Sequence, residues 1–484
     1  MTWKKLLVLI LVIGLLLTAL SGVAFANTAS SPGTTKTPIR HAVFIMMENH
    51  SFDSLFGTYP FHRNLTATVS GEKYNMFPSS TQLSKLHAVP NGTYSTPDPL
   101  EGYSAYHMDW NNGKMNGFLN NSGPASLYYF NVSQMSLEWD IAREFSMGAM
   151  YFSSTLSETI PNRLYSLAGY SPVINDYGPP PYIPLSSTIF GELNSYNVSW
   201  GYYVKNPADG TYVLPFIQGL GSHSSNIRSW STFASEVSSN TLPSVSWVSP
   251  ISGGASGYSQ HPPDNVFYGE QWLLYIINAI MHSPEWNSTA IFITYDEGGG
   301  FYDSVPPPVV AGNQLGFRVP FIVVSPYAKE NYVSTTVLSH TSLISFVDYN
   351  WNIPPLNRLV AFSNIPLDMF DFTAKYQSGA VARPPLNMSA IGQFIPDELA
   401  FPQIGPNGSI ASAFPLQPQF NLSTLPYQET GSSSDNMSNV TDYFAGNSTD
   451  IVPFYNTTYF LSALLIAAIA IPSIIIRYGS RVRK

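Results

Sequence analysis

Two apolar runs, each ending at a pair of residues with side-chain oxygens, constrain the fold of this chain more than any other feature. The pairs are Glu48 and Asn49 after residues 42–47, and Asp296 and Glu297 after residues 289–295. A strand that is apolar along almost all of its length is typical of a parallel sheet that is covered on both faces. In open sheets of this kind, ligands bind beyond the carboxyl ends of the strands. We therefore expect the two pairs to lie side by side at one edge of a parallel sheet.

The order of elements along the chain supports this fold class. Strand-like runs occupy residues 42–47, 243–249, 289–295 and 318–325, and helix-like runs occupy residues 161–169, 229–238, 268–282 and 339–351. Such alternation predicts an α/β fold with a mainly parallel central sheet and helices on both faces. Two stretches rich in aromatic residues, Pro and Gly, at 172–188 and 205–222, are expected to form ordered loops over a site.

The oxygen-bearing pairs favour a site for a hard divalent cation. Carboxylate and amide oxygens suit Mg²⁺, Ca²⁺, Mn²⁺ or a similar ion. The chain contains no cysteine, which excludes disulfides, thiolate ligands and a cysteine nucleophile. Taken alone, however, such a pair more often caps a helix or closes a turn than binds a metal.

Charged residues are scarce in this chain. They make up 11% of it, and the net charge is −9, which argues against a nucleic-acid partner. A protein with few carboxylates loses few native charge pairs when acid protonates them. We therefore expect an acidic working environment, although a glycosylated surface with Asn and Ser in place of charges would give the same composition.

Both ends of the chain carry patterns that concern membranes. Residues 1–26 have the basic start, apolar centre and small-residue cleavage site of a signal peptide, and residues 27–38 form a short leader. Residues 457–477 are apolar over the length of a transmembrane helix, and a basic segment, 478–484, follows. Because basic flanks stay inside, we expect a single pass through the cell membrane, with the body outside and a cytoplasmic tail.

The body and the anchor are joined by a segment of different composition. The body runs over residues 39–403, whereas residues 404–456 are rich in Ser, Thr and Asn and contain several Asn-x-Ser/Thr sequons. This composition predicts a flexible, glycosylated stalk that holds the body away from the membrane.

Thr159 stands where a helix is expected to begin. Pro161 fits the first turn of a helix, where its missing N–H costs no hydrogen bond, and this places Thr159 at or beside the N-cap. Its hydroxyl either only caps the helix or lies where backbone N–H groups favour an anion such as phosphate. A cation beside the hydroxyl would lower its pKa and make it a nucleophile.

Three of the nine histidines lie in polar loops, namely His107, His223 and His261. A binding or proton-transfer role is open to each of them, although a single histidine in a loop is usually only solvated. His340 opens a probable helix, and we expect it to be structural.

A series of short motifs runs through the body in a fixed order. The motifs are 46–53 (MMENHSFD), 113–118 (GKMNGF) after His107, 159–163 (TIPNR), 242–247 (LPSVSW), 261–262 (HP), 283–286 (SPEW), 294–303 (TYDEGGGFYD), 318–320 (RVP) and 325–326 (SP). Together they resemble the phosphoesterase family that contains bacterial phospholipases C and a group of acid phosphatases. The resemblance implies an alkaline-phosphatase-like fold and a phosphoesterase catalytic domain over residues 39–403.

The resemblance also implies a role for individual residues. The expected ligands of one divalent metal ion are Glu48, Asn49, Thr159, Asp296 and Glu297. Thr159 is also the expected nucleophile, which becomes a phospho-threonine that water then hydrolyses. The expected contacts to the phosphoryl group are His107, Arg163 and His261, and the expected catalytic histidines are His107, His261 and, on looser spacing, His223.

The chain departs from the family at two positions beside the second acidic pair. Many members have His where Gly298 and Ser304 stand, so the substrate preference can differ here. The expected activity is hydrolysis of phosphomonoesters, as in the acid phosphatases, and phospholipase C action on phospholipid headgroup esters is the alternative. A non-catalytic cell-envelope protein of the same fold would also fit the stalk and anchor. A sulfatase is disfavoured because the chain lacks the Cys/Ser-x-Pro-x-Arg motif of that class.

Overall fold

An eight-stranded sheet forms the centre of the computed structural model, which describes residues 34–373 except 132, 177–181, 210 and 252–256. Its strands are β1 (His41–Met47), β2 (Ser146–Gly148), β3 (Trp200–Val204), β4 (Ile227–Ser229), β5 (Val245–Val248), β6 (Thr289–Tyr295), β7 (Phe321–Val324) and β8 (Tyr332–Ser334). Their spatial order is β4-β3-β5-β1-β6-β7-β2-β8, and β7 alone in this sheet runs antiparallel to its neighbours. The mainly parallel sheet predicted from the sequence is confirmed.

The two central strands are those that the sequence singled out. β1 lies between β5 and β6, and every residue of β6 is buried. Ile and Phe side chains suit this position because both faces of a central strand are covered. β1 and β6 are in register from Ala42 opposite Ala290 to Met47 opposite Tyr295. The residues that follow the two strands therefore leave the sheet at the same level.

The described part of the chain contains eleven α-helices. They are α1 (Phe52–Phe56), α2 (Ser80–Leu83), α3 (Tyr103–Trp110), α4 (Phe118–Asn121), α5 (Ser136–Glu144), α6 (Thr159–Ala168), α7 (Ile189–Ser195), α8 (Trp230–Ser239), α9 (Val266–Met281), α10 (His340–Trp351) and α11 (Arg358–Phe362). The four helix-like runs of the sequence correspond to α6, α8, α9 and α10.

Side chains of β6 show that helices cover both faces of the sheet. The ring of Phe292 lies 4.8 Å from the ring of Phe346 in α10. The hydroxyl of Tyr295 donates a hydrogen bond to Glu138 in α5 at 2.7 Å. Because alternate residues of a strand point to opposite faces, α10 and α5 lie on opposite sides of the sheet. The predicted two-sided covering is therefore confirmed.

Smaller elements lie outside the main sheet. Short strands pair as Thr66–Val69 with Glu72–Asn75, His87–Ala88 with Tyr128–Tyr129, Tyr151–Phe152 with Leu338–Ser339, Ile183–Pro184 with Ile217–Gln218, and Val309–Val310 with Asn313–Gln314. The 3₁₀-helices are Pro124–Leu127, Leu185–Ser187, Pro207–Asp209, Leu214–Phe216, Leu220–Asn226, Trp286–Ser288 and Pro366–Met369. The pairing of Ile183–Pro184 with Ile217–Gln218 joins the two stretches that were predicted to be ordered loops.

A buried ion cluster links Arg318, shortly before β7, to other segments of the chain. Arg318 forms ion pairs with Asp53 at 2.9 Å and with Asp303 at 2.8 Å, and all three side chains are fully buried. Arg318 also donates hydrogen bonds to the carbonyl oxygens of Met76 and Ala149 at 2.9 and 3.1 Å. Asp53 and Arg318, which belong to two motifs of the family pattern, are therefore structural residues.

Several segments predicted from the sequence lie outside the described residues. These are the signal peptide (1–26), all but the last residues of the leader (27–38), the end of the body, the stalk (404–456), the transmembrane helix (457–477) and the basic tail (478–484). Among the residues that the structure does describe, no helix combines the length and the apolar composition that a membrane span requires.

Candidate active site

Four of the predicted metal ligands come together at the carboxyl edge of the sheet. Glu48 and Asn49 follow β1, and Asp296 and Glu297 follow β6. Glu48 is 6% exposed and the other three are fully buried. The amide of Asp296 donates to the carbonyl oxygen of Met47 at 3.1 Å, and the amide of Asn49 donates to Asp296 Oδ1 at 3.4 Å. The side-by-side arrangement predicted from the sequence is thus present.

Glycine allows the segments around these ligands to approach closely. Gly299 has a φ of 62°, and a Cβ at this position would lie 2.1 Å from the carbonyl oxygen of Asn49. A Cβ on Gly300 would lie 2.7 Å from the carbonyl oxygen of Leu100. No other residue fits such contacts at positive φ. The glycine run after Glu297 is therefore a packing requirement of the site.

The predicted nucleophile lies beside Asn49. Thr159 is the first residue of α6, follows the N-cap residue Glu158 and is 4% exposed. Its hydroxyl donates to Asn49 Oδ1 at 3.5 Å. Pro161 occupies the first turn, where it costs no hydrogen bond. The predicted helix start is confirmed, and this contact joins Thr159 to the four residues at the sheet edge.

Arg163 lies one turn further along α6 and pairs with two of the predicted ligands. Its Nε lies 2.9 Å from Asp296 Oδ2, and its Nη2 lies 3.6 Å from Glu48 Oε1. The guanidinium also donates to the carbonyl oxygens of Met46 and Met47 at 3.2 and 3.3 Å. These contacts make Arg163 a counter-charge for the carboxylates. Its contact with phosphate stays a prediction.

One oxygen of Glu297 is buried without a partner. Glu297 Oε2 accepts hydrogen bonds from the hydroxyl of Tyr106 at 2.6 Å and from the amide of Gly299 at 2.5 Å. Glu297 Oε1 has no hydrogen-bond partner within the described part of the chain. A buried carboxylate oxygen in this state is costly unless a cation or another donor reaches it.

The charges at the sheet edge do not balance among themselves. Three buried carboxylates, those of Glu48, Asp296 and Glu297, meet the single guanidinium of Arg163. Burial raises the pKa of Glu48 to about 7, because Arg163 offsets the effect only in part and the charge of Asp296 adds to it. A divalent cation with hard oxygen ligands would remove this excess of negative charge. The residues present therefore fit such an ion.

His261 is the predicted histidine that the structure brings to the site. Its Nε2 lies 3.9 Å from Glu101 Oε2, and Glu101 Oε1 accepts a hydrogen bond from Asn49 Nδ2 at 2.7 Å. Ligand atoms of Asp98, Glu101 and His261 all lie within 4.8 Å of one another. Burial lowers the pKa of His261, but the carboxylates of Glu101, Glu48 and Asp98 outweigh it and raise the pKa to about 10. These carboxylates thus favour the protonated form of the imidazole.

His107 is held by its own helix. Its Nδ1 donates to the carbonyl oxygen of Tyr103 at 2.7 Å, and its ring lies 4.0 Å from the ring of Tyr103. The preceding residue, Tyr106, makes the contact from α3 to Glu297. The sequence pattern indicated His107 as the functional residue of this pair, whereas Tyr106 is the residue that contacts a predicted ligand. The role of His107 in phosphate binding stays a prediction.

The structure separates His223 from the site, and this corrects its predicted catalytic role. His223 Nε2 lies 3.3 Å from Asn194 Nδ2, and its ring lies 6.3 Å from that of Trp200 at the start of β3. Trp200 pairs with Val245, which pairs with Ala42 near the start of β1. The predicted ligands leave the other end of β1, about 20 Å further along at about 3.3 Å per residue.

A carboxyl group that the sequence did not single out caps α6. Asp176 Oδ1 accepts the amide N–H of Ile160 at 2.8 Å, and the hydroxyl of Tyr212 donates to Asp176 Oδ2 at 3.3 Å. Burial, together with the charge of Glu158, raises the pKa of Asp176 to about 8. Asp176 and Tyr212 lie in the stretches 172–188 and 205–222. The prediction that these stretches lie over a site is the only sequence signal that pointed to them.

His340 proves to be a structural residue of the site. Its Nε2 donates to the carbonyl oxygen of Asp296 at 2.6 Å, because a carbonyl only accepts. Its Nδ1 lies 3.0 Å from the hydroxyl of Tyr151, which donates to it. Burial lowers the pKa of His340 to about 3, so the ring is neutral. The neutral imidazole fixes the backbone of a predicted ligand.

The two positions at which the chain departs from the family lie in different surroundings. A Cβ on Gly298 would lie 3.2 Å from the Cβ of Phe317, so a larger residue there requires Phe317 to shift. The amide of Ser304 donates to Asp53 Oδ2 at 2.7 Å. Ser304 therefore belongs to the ion cluster around Arg318, and Gly298 is the departure that lies beside the predicted ligands.

Side-chain oxygens at the ends of two parallel strands, with a hydroxyl at a helix N-terminus beside them, are compatible with a phosphoric ester hydrolase. Comparison with known proteins gives the same class, since the model of the phosphoesterase family matches residues 39–354. The chain belongs to the phosphoesterase family, as the resemblance of its motifs implied.

Named relatives of this chain are phospholipases C. The non-hemolytic phospholipase C of Burkholderia pseudomallei is 27% identical over 68% of this chain and 57% of the relative. Phospholipase C A of Mycobacterium tuberculosis is 27% identical over 81% and 88%, and non-specific phospholipase C6 of Arabidopsis thaliana is 28% identical over 62% and 64%. The chain thus spans little more than half of the first relative and most of the second.

Solved structures provide a more distant comparison. A protein in the alkaline phosphatase superfamily from Vibrio parahaemolyticus aligns with 58% of this chain and 76% of that chain, at 10% identity and a TM-score of 0.30.

Proposed function

We propose that this chain hydrolyses phosphoric esters through a covalent phospho-threonine at Thr159. The proposed ligands of one divalent cation are Glu48, Asn49, Thr159, Asp296 and Glu297. The observation that supports this most is the position of the Thr159 hydroxyl, 3.5 Å from Asn49 Oδ1 at a sheet edge with an excess of buried carboxylates. When bound, the cation would lower the pKa of the hydroxyl and offset charge on the phosphoryl oxygens.

The reaction takes place in two displacements at phosphorus. The Thr159 hydroxyl gives up its proton to solvent, and a bond forms between Thr159 Oγ1 and phosphorus as the bond from phosphorus to the leaving oxygen breaks. His261, whose pKa the neighbouring carboxylates raise, donates a proton to the leaving oxygen. Water then attacks phosphorus, breaks the bond to Oγ1 and restores the threonine.

We propose phospholipids as the leading substrate class, with cleavage of the headgroup ester. The names of the relatives support this choice, since bacterial and plant members that match this chain are phospholipases C. Phosphomonoesters, cleaved in acid, are the second candidate. Buried carboxyl groups whose pKa is raised, such as Glu138 at about 7, favour a protein that works in acid.

Replacement of the nucleophile tests the mechanism. We expect Thr159→Ala to lower turnover by about 10³- to 10⁶-fold, as removal of a nucleophile does in other covalent hydrolases. Thr159→Ser keeps a hydroxyl at the same place and serves as the matched control, with measurable turnover. Phosphatidylcholine and a chromogenic phosphomonoester should be compared from acid to mildly alkaline pH, with and without a chelator. Turnover by Thr159→Ala close to that of the unsubstituted chain would contradict the assignment.

Location at the outer cell surface is also a proposal, and the sequence patterns of the two ends support it. A single pass through the cell membrane would leave the catalytic body outside and the basic tail in the cytoplasm. Protease added to intact cells should then remove the body and leave a membrane-bound fragment. The non-catalytic alternative, a cell-envelope protein, would release neither diacylglycerol from phosphatidylcholine nor phosphate from the phosphomonoester. The same turnover assay tests it.

A further inference from the structure

Glu101 determines which end of the Asn49 side chain faces the site. Asn49 Nδ2 donates a hydrogen bond to Glu101 Oε1 at 2.7 Å. A carboxylate oxygen accepts hydrogen bonds, so the NH₂ group of the amide must point to Glu101 and the amide oxygen must point away from it. That oxygen, Oδ1, lies 3.5 Å from the hydroxyl of Thr159.

Glu101 is itself held in place from two sides. Its second oxygen, Oε2, lies 3.9 Å from Nε2 of His261. The next residue, Gly102, has a φ of 116°, and a Cβ there would lie 3.2 Å from Glu158 Oε1. The backbone that carries Glu101 is therefore packed against the residue that precedes Thr159. The carboxylate has a defined position relative to both Asn49 and α6.

The shape of the Asn49 side chain makes its orientation depend on such support. Asn49 has a φ of 58°, in the left-handed region that asparagine adopts more readily than most residues. Its two amide ends have the same shape, and only their hydrogen-bond partners distinguish them. If the amide turned over, NH₂ would replace the oxygen beside Thr159, and an NH₂ group does not bind a cation.

We propose that Glu101 is a positioning residue that keeps the amide oxygen of Asn49 directed toward Thr159 and the cation. The inference rests on the proposed function, because it concerns a ligand of the proposed cation. Partners that orient metal ligands from the second layer commonly change metal affinity by about 10- to 100-fold when they are removed. Glu101 acts in this way through its hydrogen bond to Asn49.

Three variants of the full-length chain separate this role from a general effect of charge. Glu101→Ala removes the acceptor for the Asn49 amide. Glu101→Gln removes the charge but keeps a carbonyl oxygen that can accept from Asn49 Nδ2. Asp98→Asn is the matched control, since Asp98 belongs to the same acidic cluster and removing its charge leaves the amide contact intact. The readout is the dissociation constant and stoichiometry of Mn²⁺ in calorimetric titration.

We expect Glu101→Ala to weaken Mn²⁺ binding by about 10- to 100-fold, whereas Glu101→Gln and Asp98→Asn stay within about threefold of the unsubstituted chain. Unchanged binding by Glu101→Ala would overturn this inference alone. Equal losses in all three variants, with two Mn²⁺ bound by the unsubstituted chain, would show that the cluster of Asp98, Glu101 and His261 is itself a cation site and would also overturn it. Absence of Mn²⁺ binding by the unsubstituted chain would overturn the proposed cation site and this inference together.

Discussion

At the scale of single residues, two buried arginines pair with two different sets of buried carboxylates, one in a structural cluster and one at the candidate site. Arg318 joins Asp53 and Asp303 in a fully buried cluster. Arg163 lies under the candidate site and pairs with Asp296 and Glu48. Each buried carboxylate needs a counter-charge or a proton. Loss of Arg318 is therefore expected to destabilise the fold, whereas loss of Arg163 is expected to disturb the predicted metal ligands.

Replacement of Arg318 tests its structural role. Arg318→Met leaves Asp53 and Asp303 buried without their counter-charge, and we expect the free energy of unfolding to fall by about 3–5 kcal/mol. Denaturation by urea measures this change. The control is Arg143→Met, because Arg143 is 41% exposed and its surface pairs contribute about 0–1 kcal/mol. Equal stability of the two variants would contradict the role of the cluster.

Gly299 gives a second prediction at the scale of a residue. Gly299→Ala would place a Cβ 2.1 Å from the Asn49 carbonyl oxygen, so we expect the site to open and turnover to fall by at least about tenfold, as small misplacements of catalytic groups do. Gly92→Ala is the matched control, since Gly92 has a φ of 79° and open space around it. Both variants carry the backbone strain of alanine at positive φ, and only the first should lose activity.

At the scale of elements, the strands and helices that can be predicted from the sequence are those with a long and regular apolar pattern. β1 and β6 were predicted because their apolar runs are continuous, and the ligands were found because they follow those strands directly. β2, β4 and β8 have three residues each, too few to show a period. Glu101 and Asp176 could not be predicted because tertiary packing, and no local pattern, brings their segments over the strand ends.

The start of α6 gives a prediction at this scale. Asp176→Ala removes the acceptor of the Ile160 N–H, and loss of a helix cap costs about 1 kcal/mol. We also expect a lower kcat, because Thr159 is the first residue of the same helix. Ser229→Ala is the control, since Ser229 caps α8 by accepting the Thr232 N–H at 3.2 Å. Ser229→Ala should lower the free energy of unfolding in urea by a similar amount and leave kcat unchanged. If Ser229→Ala lowered kcat as much as Asp176→Ala does, a specific role for Asp176 would be contradicted.

At the scale of the whole molecule, burial of carboxyl groups links stability to pH. Burial raises the pKa of Glu138, Glu192 and Glu285 to about 7, from a usual value of 4.5, and that of Asp348 to about 8. Between the usual and the raised value, the folded protein holds protons that the unfolded chain releases. The free energy of unfolding therefore falls as the pH rises through this window.

We accordingly expect the melting temperature to fall as the pH is raised from about 4.5 to about 8. The buried histidines His50 and His340 oppose this trend, because burial lowers the pKa of each to about 3 and their contribution is lost as the pH falls. More carboxyl groups than histidines change in this range, so the carboxyl groups prevail. Glu138→Gln should flatten the curve, whereas Gln at the exposed Glu72 should not. A melting temperature that rises over this range would contradict the expectation.

The pairing of β1 has a consequence for synthesis of the protein. Ala42 in β1 pairs with Val245 on one side and with Ala290 on the other. On the ribosome, the backbone N–H and C=O groups of β1 therefore lack their strand partners until most of the body has been made. Late, non-local pairing of this kind slows folding and exposes nascent chains to aggregation. Truncation before β6 should consequently give an insoluble product. The strand that is synthesised first will be among the last to acquire both of its neighbouring strands.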